Sequence, residues 1–158
     1  MKKGVVIYDS NFGNTEKIAR ALADGLEQKG MEIDCLWIDE VDVEELTKYD
    51  FIALGGPTHI LRTSKPMKAF LETLKTVDLR GLKGFSFDTR NKSRMNSKNW
   101  LLLENSAARV IEGVLKSRNV DIVETRRSAL VEGREGPLHD GMVEMFTQIG
   151  TEIAKSLH

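Results

Sequence analysis

The run Ser10-Asn11-Phe12-Gly13-Asn14-Thr15 is the part of this sequence whose residue types and spacing best suit it to chemistry, and the chemistry is anion binding. It stands between an apolar, β-branched run, Val5-Val6-Ile7-Tyr8, and a helical pattern that begins at about Asn14. A helix N-terminus presents backbone N–H groups with no partner inside the helix, together with a partial positive charge. Ser10, Asn11, Asn14 and Thr15 add short hydroxyl and amide donors. Gly13 lets the backbone turn sharply and approach a ligand closely. Such a loop holds a phosphate without Lys or Arg. The plainer alternative is that Asn14 or Thr15 only caps the helix. Two other phosphate loops are excluded. No Gly-Lys-Ser/Thr follows a glycine at Walker A spacing, and no Gly-x-Gly-x-x-Gly marks a dinucleotide pyrophosphate.

Hydrolytic and metal chemistry find less support. Ser10, His59 and Asp88 all fall at expected strand ends and can be drawn as a triad, but Ser10 lacks the Gly-x-Ser-x-Gly elbow and is better used on phosphate. His139 and His158 have no metal-ligand spacing with other residues. No catalytic residue and no metal ligand is therefore assigned. Cys35 is the only cysteine, so there is no disulfide framework, which fits a reducing compartment and a cytoplasmic location.

The elements that must position the loop alternate strand and helix along the chain. Val5–Tyr8 reads as a central parallel strand buried on both faces. The helix that follows runs from about Asn14 to Gly30, with Ile18, Leu22 and Leu26 on one side and Gly30 as its C-cap. Glu32 to Ile38 is a second strand, and the acidic stretch Asp39–Glu45 opens a short helix around Val43 and Leu46. Phe51–Leu54 is a third strand, ended by Gly55-Gly56-Pro57, and Met67, Phe70, Leu71 and Leu74 form the next helical stripe with Pro66 in its first turn. Gly84–Phe87 is a fourth strand, followed by a long polar stretch, Asp88–Asn99, with no assigned element. Ala107, Val110, Ile111, Val114 and Leu115 mark a helix, Val120–Val123 a fifth strand that resumes at Ala129–Val131, and Met142, Met145, Ile149, Ile153 and Leu157 the closing helix.

Five strands alternating with five helices imply an α/β, three-layer sandwich: a parallel sheet covered on both faces, over one domain spanning residues 1–158. Right-handed crossovers leave the order 2-1-3-4-5 as the arrangement that fits this size. In such sheets ligands bind at the carboxyl ends of the strands, near the switch point between the first and third. That singles out Asp9–Thr15, Gly55–Lys65 and Asp88–Asn99. The two downstream segments are basic. Gly56–Lys68 holds Arg62, Lys65 and Lys68 with no acid, and Asp88–Asn99 holds Arg90, Lys92, Arg94 and Lys98 against Asp88, giving +3 in each. The stretch Asp88–Glu104 is long for a strand-to-helix connection, usually about 2–6 residues, and is expected to cover the ligand or to become ordered with it.

Composition narrows the partners. With 41% hydrophobic and 30% charged residues the chain is an ordinary globular protein, and a net charge of −1 gives no reason to expect nucleic acid. No apolar run approaches the roughly 20 residues of a membrane span. The short apolar stretch after Met1-Lys2-Lys3 reads as a buried strand and not as a signal peptide.

The first loop resembles that of the flavodoxin family, roughly Thr/Ser-x-Thr/Ser-Gly-x-Thr, with Phe12 in place of a hydroxyl residue. Gly55-Gly56-Pro57-Thr58-His59-Ile60-Leu61-Arg62 is similar to the Gly-Ser-Pro-Thr-aromatic segment that the family sets against its flavin. Further matches are Ser64-Lys65-Pro66-Met67 with Phe70-Leu71, Phe87-Asp88-Thr89-Arg90, and Ser106-Ala107-Ala108. Glu135-Gly136-Pro137-Leu138 looks like a segment of an atypical archaeal and bacterial flavodoxin-domain subgroup.

The resemblance implies flavin mononucleotide (FMN) as cofactor. It assigns the phosphate to Ser10, Asn11, Phe12, Gly13, Asn14 and Thr15, and the ring to Pro57, Thr58, His59 and Ile60 on one side and Asp88, Thr89 and Arg90 on the other. His59 stands where the family has a stacking aromatic, and the third loop has none at the matching place; Trp100 is expected to pack against the following helix. The family acts as an electron carrier between redox protein partners. The alternatives are an FMN-dependent NAD(P)H:quinone reductase, a protoporphyrinogen-oxidase-like enzyme, or a module that has lost its flavin. A monomer or weak dimer is expected. If the basic loops surround the ring, they favour the reduced, anionic flavin and make its second one-electron couple less negative than in an acidic site.

Overall fold

The structure is a computed structural model describing residues 2–59, 62–91 and 106–158, without the side chains of His59 and Arg62. Ile60, Trp100 and the greater part of the stretch Asp88–Glu104 lie outside the described residues. The strands are β1 (Lys3–Tyr8), β2 (Glu32–Trp37), β3 (Phe51–His59), β4 (Arg62–Thr63), β5 (Lys83–Asn91), β6 (Asp121–Ile122) and β7 (Arg127–Val131). The described α-helices are α1 (Asn14–Glu27), α2 (Lys65–Thr73), α3 (Ala107–Ser117) and α4 (Met142–Ser156).

The main path of the sheet is β2-β1-β3-β5-β6, all parallel. The fifth position is shared by two strands: β6 pairs with Lys83–Gly84 at the start of β5, and β7 with Phe87–Asn91 at its end. The expected order 2-1-3-4-5 is the observed one, with the last strand interrupted at 123–126.

Strand alternation sorts the core into two layers. Val6, Ala53, Phe85 and Phe87 pack with Ile18, Leu22 and Leu26 of α1 and Phe146, Ile149 and Ile153 of α4. Val5, Ile7, Ile52 and Leu54 pack with Met67, Phe70 and Leu71 of α2 and Ile111 and Leu115 of α3. The helices α1 and α4 meet at two glycines. A Cβ on Gly25 would stand 2.0 Å from the Thr147 carbonyl oxygen, and one on Gly150 would stand 2.4 Å from that of Leu22. Backbone-to-backbone contact of this kind fixes the angle at which α1 presents its N-terminus.

Four sequence expectations need correction. Strand β3 does not stop at Leu54 but runs through Gly55-Gly56-Pro57 to His59, because β5 continues beside it: Gly55 pairs with Phe87, Gly56 with Asp88 and Pro57 with Thr89. Pairing partners here outweigh the poor strand propensity of Gly and Pro. Likewise β5 extends to Asn91, so Asp88-Thr89-Arg90 is strand and not loop. The short helix around Val43 and Leu46 is a 3₁₀ helix, Val43–Lys48, capped by the Asp42 side chain accepting from Glu44 N–H. Last, α1 ends at Glu27 with Gln28 as its C-cap, two residues before Gly30.

Candidate functional site

The chain leaves β1 at Tyr8 and turns into α1 over five residues, held first by Asp9 N–H donating to the Gly55 carbonyl at 3.0 Å. Asp9 is buried and accepts from Ser64 Oγ, the N-cap hydroxyl of α2, so the first loop and the α2 N-terminus are pinned together. Ser10 Oγ accepts from Gly13 N–H at 3.0 Å, closing the turn. Gly13 is itself the N-cap of α1, at φ +87°, a left-handed conformation that other residues adopt only with strain.

The N-cap position of α1, being glycine, offers the helix no side-chain cap. The alternative that Asn14 or Thr15 serves merely as a cap is therefore excluded, since both turn elsewhere. Asn14 Nδ2 donates to the Glu135 carbonyl at 3.1 Å, and the hydroxyls of Thr15 and Thr89 share a hydrogen bond of 2.9 Å. The first-turn N–H groups of α1 keep their outward direction and their partial positive charge.

They face a cleft of about 500 Å³. One wall is Ser10, Asn11, Phe12, Asn14 and Thr15; another is Pro57 and Thr58; the far side is Thr89, Asn91, Val131, Gly133 and Arg134. The volume lies within the range of small-molecule sites, about 300–1,000 Å³. Phe12 is 45% exposed at the rim, an apolar surface beside a polar loop. The residues fit a phosphate-bearing planar ligand: uncapped helix N–H groups for the anion, then a slot walled by Pro57, Thr58 and Val131 for an apolar body.

Of the residues expected in this site, Ser10 to Thr15, Pro57, Thr58 and Thr89 are brought together around the cleft or in its turn. Asp88 and Arg90 are not among the residues lining it. Residues alternate across β5, so Thr89 and Asn91 share the α1/α4 side with Phe85 and Phe87, while Ser86, Asp88 and Arg90 take the other. Asp88 is fully buried. Its Oδ2 accepts from Thr58 Oγ1 at 2.6 Å and from Ala108 N–H at 3.4 Å, and Ala107 N–H donates to Thr58 Oγ1 at 2.9 Å. Burial pushes the Asp88 carboxyl above the usual carboxylate range, opposed by the hydroxyl donors of Ser128 and Thr58 and by nearby Arg90. Burial also draws the Arg90 guanidinium below its ordinary value, against the pull of Asp88. The triad drawn from Ser10, His59 and Asp88 does not form, because Ser10 Oγ bonds Gly13 and Asp88 bonds Thr58 and α3.

Val131, Gly133 and Arg134 were not expected in the site, and Asn91 only as part of the segment Asp88–Asn99. Extending the period-two pattern Phe85, Phe87, Thr89 by two residues would have found Asn91. The segment after β7 carries no comparable signal. Arg62 and His59 reach the hairpin of β3 and β4 through backbone pairing, and Lys65 and Lys68 are exposed on α2 outside the lining. Burial raises the Cys35 thiol to about 11, which leaves it protonated near neutral pH.

Comparisons with known proteins agree with this geometry. The family model described as Flavodoxin matches residues 6–91. "Probable flavodoxin 1" of Bacillus subtilis (strain 168) is 36% identical over 95 residues, 59% of this chain and 60% of that protein. An "NAD(P)H dehydrogenase (quinone)" of Cupriavidus metallidurans is 32% identical over 102 residues, 52% of this chain and 51% of the relative. The chain thus spans between half and three-fifths of these two relatives. Among solved structures, oxidised Flavodoxin 1 from Bacillus cereus superimposes with a TM-score of 0.82 at 25% identity, over 99% of this chain and all of that one.

Proposed function

This chain belongs to the flavodoxin family, and from that premise we propose that it binds FMN and passes electrons between redox partners. FMN is the cofactor that flavodoxins bind. When bound, it supplies reversible one- and two-electron redox chemistry. The observation that carries the proposal is the N-terminus of α1, which has no side-chain cap, begins at a left-handed glycine and opens on a cleft at the switch point between β1 and β3.

In this reading Ser10 to Thr15 bind the phosphate through the first-turn N–H groups and the Ser10 and Asn11 side chains. Pro57 to Ile60 and Thr89 flank the ring and exclude water from it, with Asn91 and Val131 behind. Asp88 and Arg90 act from the opposite side of β5: Asp88 holds the Thr58 hydroxyl and the start of α3 in place. The partners are redox proteins of unidentified kind, and we place the protein in the cytoplasm as a single flavodoxin-like domain, a monomer or weak dimer. Among the described residues no helix is long and apolar enough to cross a membrane.

A second reading, an FMN-dependent NAD(P)H:quinone reductase, rests on the similarity to the Cupriavidus protein over half its length. One experiment separates the two. The protein is reconstituted with FMN and reduced stepwise without oxygen, then offered NADH or NADPH with a quinone. Two resolved one-electron steps with negligible pyridine-nucleotide oxidation support the carrier. Rapid turnover supports the reductase, and failure to retain FMN rejects both.

A further inference from the structure

The connection between β7 and α4 folds back on itself as a tight flap. Glu132 N–H donates to the Pro137 carbonyl at 2.8 Å, Gly136 N–H to that of Gly133 at 3.1 Å, and His139 N–H to that of Leu130 at 2.8 Å. The flap is fastened to the phosphate loop. Its Glu135 carbonyl accepts from Asn14 Nδ2, in the first turn of α1. Gly136 lies at φ +107°, and a Cβ there would stand 2.9 Å from both polar atoms of the Asn14 side chain. Only a bare backbone therefore lets the flap come this close.

This docking brings Gly133 and Arg134 into the wall of the cleft. Arg134 is one residue from the tether, so its Cα lies about 3.8 Å along the chain from that of Glu135. Among the described residues lining the cleft it is the only cation, and it forms no ion pair with a described acid. Two acids of this region have partners of their own: Glu16 pairs with Arg20 at 2.9 Å, and Glu132 with His139. The other described residues of the lining are neutral. The helix N-terminus offers only about half a positive charge, whereas a phosphate monoester carries nearly two negative ones.

We infer that Arg134 is a specificity-determining residue of the FMN site: its guanidinium, carried in by the flap, pairs with the phosphate and makes the site select the phosphorylated flavin over riboflavin. The inference rests on the FMN reading above. An arginine suits the task because its planar fork matches two phosphate oxygens at once and stays charged at every working pH. The flap also explains why Asn14 is spent on a backbone carbonyl and not on the ligand. It orients the flap, and the flap supplies the full charge that the first loop lacks.

The test is titration of the apoprotein with FMN and with riboflavin, following quenching of flavin fluorescence, for the wild type, Arg134→Gln and Arg134→Lys at low and at moderate salt. Arg134→Gln is expected to weaken FMN binding about tenfold while riboflavin binding moves by less than about twofold. Arg134→Lys should fall between, and the salt dependence of FMN binding should shrink in Arg134→Gln. Equal weakening for both flavins would assign Arg134 a structural role and overturn the inference. So would unchanged FMN affinity in Arg134→Gln, with the FMN reading left standing. A wild-type protein that binds neither flavin would remove the FMN reading, and this inference with it.

Discussion

Two helices begin at the carboxyl edge of the same sheet, α1 after β1 and α3 in the segment after β5, and their N-termini are used in opposite ways. The α3 terminus is closed by the protein. Ser106 caps it by accepting from Arg109 N–H, Ala107 N–H goes to Thr58, and Ala108 N–H goes to Asp88. The α1 terminus is left open, with a glycine at the cap and its neighbouring side chains tied to β5 and to the flap. A helix N-terminus is therefore not in itself a binding site. It becomes one when the side chains able to satisfy it are directed elsewhere and a cleft lies in front. The two are linked at Thr58, which lines the cleft of α1 and serves the cap of α3.

The contrast can be broken most severely at the closed end. Asp88→Ala leaves the Ala108 N–H and the hydroxyls of Thr58 and Ser128 without their acceptor, and should cost about 2–4 kcal/mol of stability in urea unfolding. A loss below about 1 kcal/mol would mean that the α3 terminus is satisfied in some other way. Next in size, Ser10→Asp sets a carboxylate beside the open terminus. FMN affinity should fall about a hundredfold, close to 2.7 kcal/mol, while the apoprotein gains roughly 0.3–1 kcal/mol from a carboxylate at the helix start. Both changes having the same sign would contradict an anion site there. Thr58→Val cuts the link itself and should destabilise by about 1–3 kcal/mol, with tighter or unchanged FMN binding counting against Thr58 as a wall of the cleft.

The smallest effect is in pH. Because burial raises the Asp88 carboxyl, the folded chain holds a proton there at pH values where the unfolded chain has lost it. The stability this contributes is fully present below the ordinary carboxylate pKa and is lost as pH rises through the raised one. Asp88→Asn should flatten that fall in a series of unfolding measurements at increasing pH. The same slope in the variant would place its origin elsewhere.

How much of this was legible in the sequence depends on the range of the forces involved. Val5–Tyr8, the Ile18-Leu22-Leu26 stripe and the glycine in Ser10–Thr15 are local patterns, and they were enough to predict the sheet order and to single out the loop that opens α1, because strand and helix periods and helix-end chemistry are encoded within a few residues. The ends of β3 and β5 were not legible. Gly55-Gly56-Pro57 and Asp88-Thr89-Arg90 read as loop until each is seen beside the other, and their pairing then turns Asp88 and Arg90 away from the cleft. Nor was the flap, since the contact between Asn14 and Glu135 joins residues 121 apart in the chain. What the sequence alone determined is the kind of protein and the order of its sheet, and it singled out the loop proposed here for the anion. Tertiary structure alone decided which side of β5 faces the cleft and which residues of the β7–α4 connection join its lining, because both depend on hydrogen bonds between segments distant in sequence.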